Sequence, residues 1–148
     1  MPKYIPQIGA VFDIKFGEGS WNINSSGTQT ITHNLGRIPK LIRITYRAVG
    51  HSNYTYNQPH GVGIWSSGGN ITVFFGVHES PIGSGLSNTA GTSANMIRIH
   101  AEYSVSGTYD YTIANITSVT ETTFTLTWNK FGSYSTPGTV YFIWEVIG

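Results

Sequence analysis

Seven carboxylates (Asp13, Glu18, Glu79, Glu102, Asp110, Glu121 and Glu145) and five histidines (His33, His51, His60, His78 and His100) are the groups in this sequence that could move a proton or hold a metal. Catalysis needs such groups in positioned sets, and no motif here pairs an acid with a base or a nucleophile. Glu102 and Asp110 flank the turn at 104–108 and would meet across a hairpin, the kind of approach a glycosidase requires. Solvated hairpin charges explain the same pair more simply. The histidines show neither His-x-His on a strand nor His-x-x-x-His on a helix, so no metal site is expected from their spacing. A symmetry axis that gathered one histidine from each subunit would leave no mark in a single sequence. With no cysteine there is neither a disulfide nor a thiolate ligand. Gly-x-Ser-x-Gly and phosphate-cradling loops are also missing, and the chain reads as a non-enzyme without a cofactor.

What remains is binding chemistry. Arg37, Lys40, Arg43 and Arg47 hold half of the eight Lys and Arg residues inside one short stretch. Arg43 and Arg47 should project from the same strand face. Such a cluster suits docking on an acidic protein surface or an anionic glycan, through guanidinium forks that pair with carboxylates. Charge that protects a solvated strand face is the plainer alternative. The segment from His51 to His60 has no apolar period and carries Tyr54 and Tyr56, so it reads as the most site-like surface loop. Trp65, Tyr109 and Tyr111 join these as aromatics expected at the surface, where they would stack on sugar rings or anchor an interface. Packing inside a sandwich is the competing role for each of them. The sequons at Asn24, Asn53, Asn70 and Asn115 follow from abundant Asn, Ser and Thr.

These residues have to be positioned by strands. Only 10% of the 148 residues are charged, while 14% are aromatic and 18 are Gly, a balance unlike that of helical bundles or disordered tails. A net charge of +1 is too small to draw the chain to a polyphosphate, so nucleic acid is not an expected partner. No apolar run approaches the ~20 residues a membrane-spanning helix needs, and the first residues lack a signal peptide's apolar centre. Residues 1–9 contain Pro2, Pro6 and Gly9 and read as an extended docking arm bearing Tyr4, Ile5, Pro6 and Ile8. Residues 10–148 read as one domain.

Within that domain the alternation is of period two. Phe12, Ile14 and Phe16 share one face of a first strand, and Gly17-Glu18-Gly19-Ser20 reads as a flexible turn after it. A weak strand over 27–33 precedes the turn Asn34 to Pro39. Ile42, Ile44 and Tyr46 form the apolar side of a third strand. Strands over 61–65 and 70–77 bracket a hairpin connection, and 79–92 reads as a long ordered loop or subunit contact. Four more strands fit 95–103, 109–117, 122–128 and 139–147. The last is apolar on both sides, as a central strand with both faces mostly covered would be. The expectation is an all-β protein: a two-sheet antiparallel β-sandwich, jelly-roll or immunoglobulin-like, of about nine strands behind an extended arm.

The stretch Thr28 through His33-Asn34-Leu35-Gly36-Arg37-Ile38-Pro39 to Ile44, the stretch Ile116 to Trp128 and the ending Val140 to Gly148 together resemble small β-sandwich modules of tailed-phage virion proteins, over most of the chain. The order of a strand, a Pro turn and an apolar strand, with a Phe-bearing strand and a Trp-bearing strand at the end, is also similar to the H-type lectin sandwich. The first resemblance implies a structural protein on the virion exterior, assembled in the host cytoplasm: a capsid decoration or cement subunit that forms a homo-oligomer, with a trimer expected, and docks on other virion proteins through its arm and sandwich faces. The second implies a receptor-binding, carbohydrate-binding module of a tail fibre, which would meet a host-surface glycan through Tyr54, Tyr56 and their neighbours.

Overall fold

The computed structural model describes residues 13–49, 60–67, 69–79, 86–103, 109–132 and 138–148. Side chains are described for fewer of them, excluding 71–79, 86–93, 100–103, 109 and 110. The arm at 1–9 and the loop at 51–59 lie outside the described residues. Among the described residues there are ten elements, all strands: β1 (Ile14–Asn22), β2 (Gly27–Thr32), β3 (Leu41–Val49), β4 (His60–Ser66), β5 (Gly69–Glu79), β6 (Leu86–Ser93), β7 (Ile97–Tyr103), β8 (Tyr109–Val119), β9 (Thr123–Phe131) and β10 (Thr139–Ile147). They form a six-stranded sheet in the order β1-β10-β3-β4-β5-β6 and a four-stranded sheet in the order β2-β9-β8-β7. Every pairing is antiparallel. The expected sandwich is present, with β10 between β1 and β3. This order differs from the seven-strand ABED and CFG arrangement of immunoglobulin constant domains. Among the described residues no helix is long and apolar enough to cross a membrane.

The core is the sum of the inward sets that alternation selects. Ile42, Ile44, Tyr46 and Ala48 of β3 and Val140, Phe142, Trp144 and Val146 of β10 face Ile97 and Ile99 of β7, Ala114 and Ile116 of β8, and Phe124, Leu126 and Trp128 of β9. Aromatic rings lock the middle, with Phe124 edge-on to Trp144 at 5.9 Å and Trp21 stacked on Trp128 at 5.4 Å. Two polar staples cross between the sheets. The Tyr46 hydroxyl takes both backbone groups of Arg98, and the Asn70 side-chain amide pairs with both backbone groups of Ile116. Gly63 permits the closest approach. A Cβ there would stand 1.8 Å from the Met96 carbonyl oxygen.

Three local expectations are corrected. Gly17-Glu18-Gly19-Ser20 is no turn; it lies within β1, paired along its length with β10. Its glycines point inward because the Trp144 and Phe142 rings occupy the space a Cβ would need, at 2.4 Å in each case. Rings packed over edge glycines restore the burial that glycine itself cannot supply. As a result the apolar pair Ile14 and Phe16 faces solvent. The stretch 79–92 is not one loop, since β5 runs to Glu79 and β6 begins at Leu86, which gives ten strands among the described residues. Its small polar residues fit an edge strand, which needs few buried apolar groups. Finally, β10 is central by pairing, yet its outward side is uncovered among the described residues: Tyr141 is 54% exposed and Ile143 is 58% exposed.

Candidate functional site

Because neighbouring side chains on one face of a sheet lie in register, the outward residues of β1, β10, β3 and β4 form cross-strand rows. The first row is Ile14, Ile147, Leu41 and Ser66, and the second is Phe16, Glu145, Arg43 and Ile64. The third is Glu18, Ile143, Thr45 and Val62, and the fourth is Ser20, Tyr141, Arg47 and His60. Strand spacing sets about 4.8 Å between neighbours in a row, and successive rows lie about 6.7 Å apart.

The four rows divide into two regions. At one end Phe16, 80% exposed, stands with Ile14 and Ile64 around the Arg43–Glu145 ion pair, and Ile143 borders them. At the other end an open groove of about 760 Å³ runs over the third and fourth rows. Its walls are Glu18, Tyr141, Ile143, Arg47 and His60, with the shorter Ser20 and Thr45 between them. The buried Tyr46 lies under its floor. Desolvation pushes the Tyr46 phenol well above the ordinary tyrosine range, so it stays a neutral hydroxyl and takes no part as an acid.

The basic cluster is split by the register. Arg37 reaches Asp13 at 3.1 Å, next to the point where the chain enters β1, and Arg43 pairs with Glu145. Lys40 is exposed, and its backbone N–H donates to Ile147. Arg47 alone of the four lines the groove, and it makes no ion pair among the described residues. The expected common face of Arg43 and Arg47 is therefore real, but their neighbours give them different surroundings.

The aromatic expectations fare unevenly. Trp65 is half-buried against the core and Tyr111 is half-buried, stacked on Phe131 at 4.7 Å with the Arg98 guanidinium 4.8 Å from its ring centre. Trp65 packs on the core from the inward side of β4, whereas Tyr111 lies on the outward side of β8, stacked with the exposed Phe131. His51, Tyr54 and Tyr56 lie outside the described residues, as do the arm residues Tyr4, Ile5, Pro6 and Ile8 and the side chain of Tyr109. Residues 51–59 connect β3 to β4 in sequence, and the facing residues Arg47 and His60 of those strands belong to the groove. Sequence reading missed Tyr141, Ile143, Glu18 and Ser20. The signal for the first two was there, in the apolar outward set of β10.

His33 is buried, and its Nδ1 accepts the Leu35 N–H at 3.1 Å, which places its proton on Nε2. Burial holds its pKa below the usual value, against backbone carbonyls of Thr123 and Thr120 that favour the charged form. It supports the turn from β2 to β3. Among the described residues no group of three His, Asp or Glu could hold a metal ion. Strand register sets Glu102 directly opposite Asp110, as the hairpin reading required, though their side chains lie outside the description. No protein-family model matches the chain, and no curated protein or solved structure matches it at a significant level.

Proposed function

We propose that this chain is a non-enzymatic structural subunit of a tailed-phage virion exterior, of the decoration or cement type, which joins other copies of itself through the outer face of its six-stranded sheet. The observation that carries the reading is the apolar end of that face, formed by Ile14, Phe16, Ile64 and Ile143. With Val62 these side chains offer on the order of 500 Å² of apolar surface, against about 800 Å² per partner in a standard interface. A second copy suits it because the charges at its centre, Arg43 and Glu145, already neutralise each other and leave no like charge to oppose self-contact. The virion placement draws on the likeness of the segments around Thr28–Ile44 and Val140–Gly148 to phage β-sandwich modules. Residues 1–9 supply the second contact, to the underlying shell.

Native mass spectrometry of the full chain beside the double variant Ile14→Ser, Phe16→Ser tests the self-contact. Oligomers that dissociate in the variant, with an unchanged circular dichroism spectrum, are expected. A monomeric wild type, or a variant that assembles normally, overturns it. For the virion placement, antibody labelling of particles from the encoding phage should detect the protein, and removal of residues 1–9 should abolish incorporation while the sandwich stays folded. Unlabelled particles, or normal incorporation of the truncated chain, refute that part.

A further inference from the structure

From the groove over the third and fourth rows we infer a second, separate activity: it binds a saccharide whose pyranose ring carries a carboxylate, with Tyr141 and Arg47 as the contacts that select it. This inference goes beyond the assembly reading and does not depend on it: the two share Ile143, but Ser20, Tyr141 and Arg47 of the fourth row lie outside the residues of the self-contact. Three observations meet in the groove. Tyr141 presents a half-exposed ring beside the apolar Ile143, a platform for the C–H face of a sugar. Arg47 adjoins that ring on the next strand, and it is the arginine of the cluster whose guanidinium is not already held by a carboxylate among the described residues. A planar guanidinium matches a carboxylate in a bidentate fork. On the other side of Tyr141 stand Ser20 and, one row away, Glu18, with Thr45 beside Ile143. Hydroxyl and carboxylate oxygens of this kind accept and donate to sugar hydroxyls.

The dimensions agree with this chemistry. Ser20 and Arg47 lie two strand spacings apart, about 10 Å, so a ring seated on Tyr141 can meet both at once. A groove of about 760 Å³ lies within the roughly 300–1,000 Å³ that small-molecule sites occupy, room for more than one sugar unit. Glu18 on β1 and Arg47 on β3 stand on opposite sides of the β10 residues Tyr141 and Ile143, so the carboxylate of the ligand has one favourable orientation, toward Arg47, and the ring hydroxyls the other. A neutral sugar would keep the stacking and lose the fork.

The test is an NMR titration of the isotopically labelled full chain with sodium glucuronate, glucose and sodium acetate in turn. Glucuronate is expected to shift the backbone amides of Thr45, Arg47, Tyr141 and Ile143 saturably, and glucose to do so about tenfold more weakly, the factor expected for one charge-assisted hydrogen bond. Acetate alone should leave them in place. Arg47→Gln should bring glucuronate down to the affinity of glucose, and Tyr141→Ala should weaken both sugars. Both side chains are exposed, so these variants should melt like the wild type. The inference is overturned by sugars that leave the groove amides unmoved, by equal affinity for glucuronate and glucose, by acetate binding as well as glucuronate, or by an acid preference that survives Arg47→Gln. Normal assembly of the Tyr141 and Arg47 variants keeps such a failure distinct from failure of the self-contact.

Discussion

The Tyr46 hydroxyl donates to the Arg98 carbonyl at 2.9 Å and accepts the Arg98 N–H at 3.2 Å, so a single side chain of β3 satisfies both backbone groups of a residue in the opposite sheet. Phenylalanine at 46 would keep the ring and orphan a donor and an acceptor. A buried unpaired group of this kind costs about 1–3 kcal/mol. Tyr46→Phe should therefore lower the stability read from urea unfolding by about that amount with the slope unchanged. A midpoint shift too small to measure would show that the staple is incidental.

Gly63 and Gly19 test two kinds of closeness. A Cβ on Gly63 meets the Met96 backbone oxygen, which cannot move without shifting the sheets, whereas a Cβ on Gly19 meets the Phe142 ring, which can tilt. Gly63→Ala should destabilise by about 3 kcal/mol or more, and Gly19→Ala by about 1 kcal/mol. The reversed order in thermal or denaturant unfolding would contradict the packing described above.

His33 links stability to acidity. Its folded pKa lies below the ordinary 6.5 because burial opposes the charge, so below that value the unfolded chain binds more protons than the folded one. The stabilisation is present above pH 6.5 and is lost as pH falls toward the folded pKa. The unfolding free energy of the wild type should drop through this window more steeply than that of His33→Gln, measured side by side. Parallel curves would remove His33 as the cause.

The Arg43–Glu145 pair should matter little to stability. Both side chains are substantially exposed, and such pairs contribute about 0–1 kcal/mol. In the monomeric Ile14→Ser, Phe16→Ser background, a double-mutant cycle with Arg43→Gln and Glu145→Gln should return a coupling below about 1 kcal/mol. A larger coupling in that background would contradict the exposure of the pair on the single subunit.

Much of the architecture was legible in alternation. Ile42, Ile44 and Tyr46, or Phe124, Leu126 and Trp128, declare an inward face because burying every second residue is what one side of a sheet does. The rule failed on β1, where Ile14 and Phe16 carry the apolar pattern outward and Gly17 and Gly19 are the inner residues. There the apolar matter is supplied by Trp144 and Phe142 from the next strand, which no local pattern reveals. The site was legible only in pieces. Arg47 and His60 stand out in the sequence, but Tyr141 and Ile143 read as the second, mostly covered face of a central strand, because a continuous apolar strand reads the same whether or not that face is covered.

Residue type and spacing determined the secondary-structure class and the inner face of most strands, since each of these depends on neighbours along the chain. Which strands lie side by side was decided by the fold, and with it the partition of the arginines into paired and groove-lining members. Arg43 meets Glu145 and Arg47 meets Tyr141 across distances of about a hundred residues of sequence, set by how β10 inserts between β1 and β3. Cross-strand register is a long-range property, fixed by the closure of the whole core.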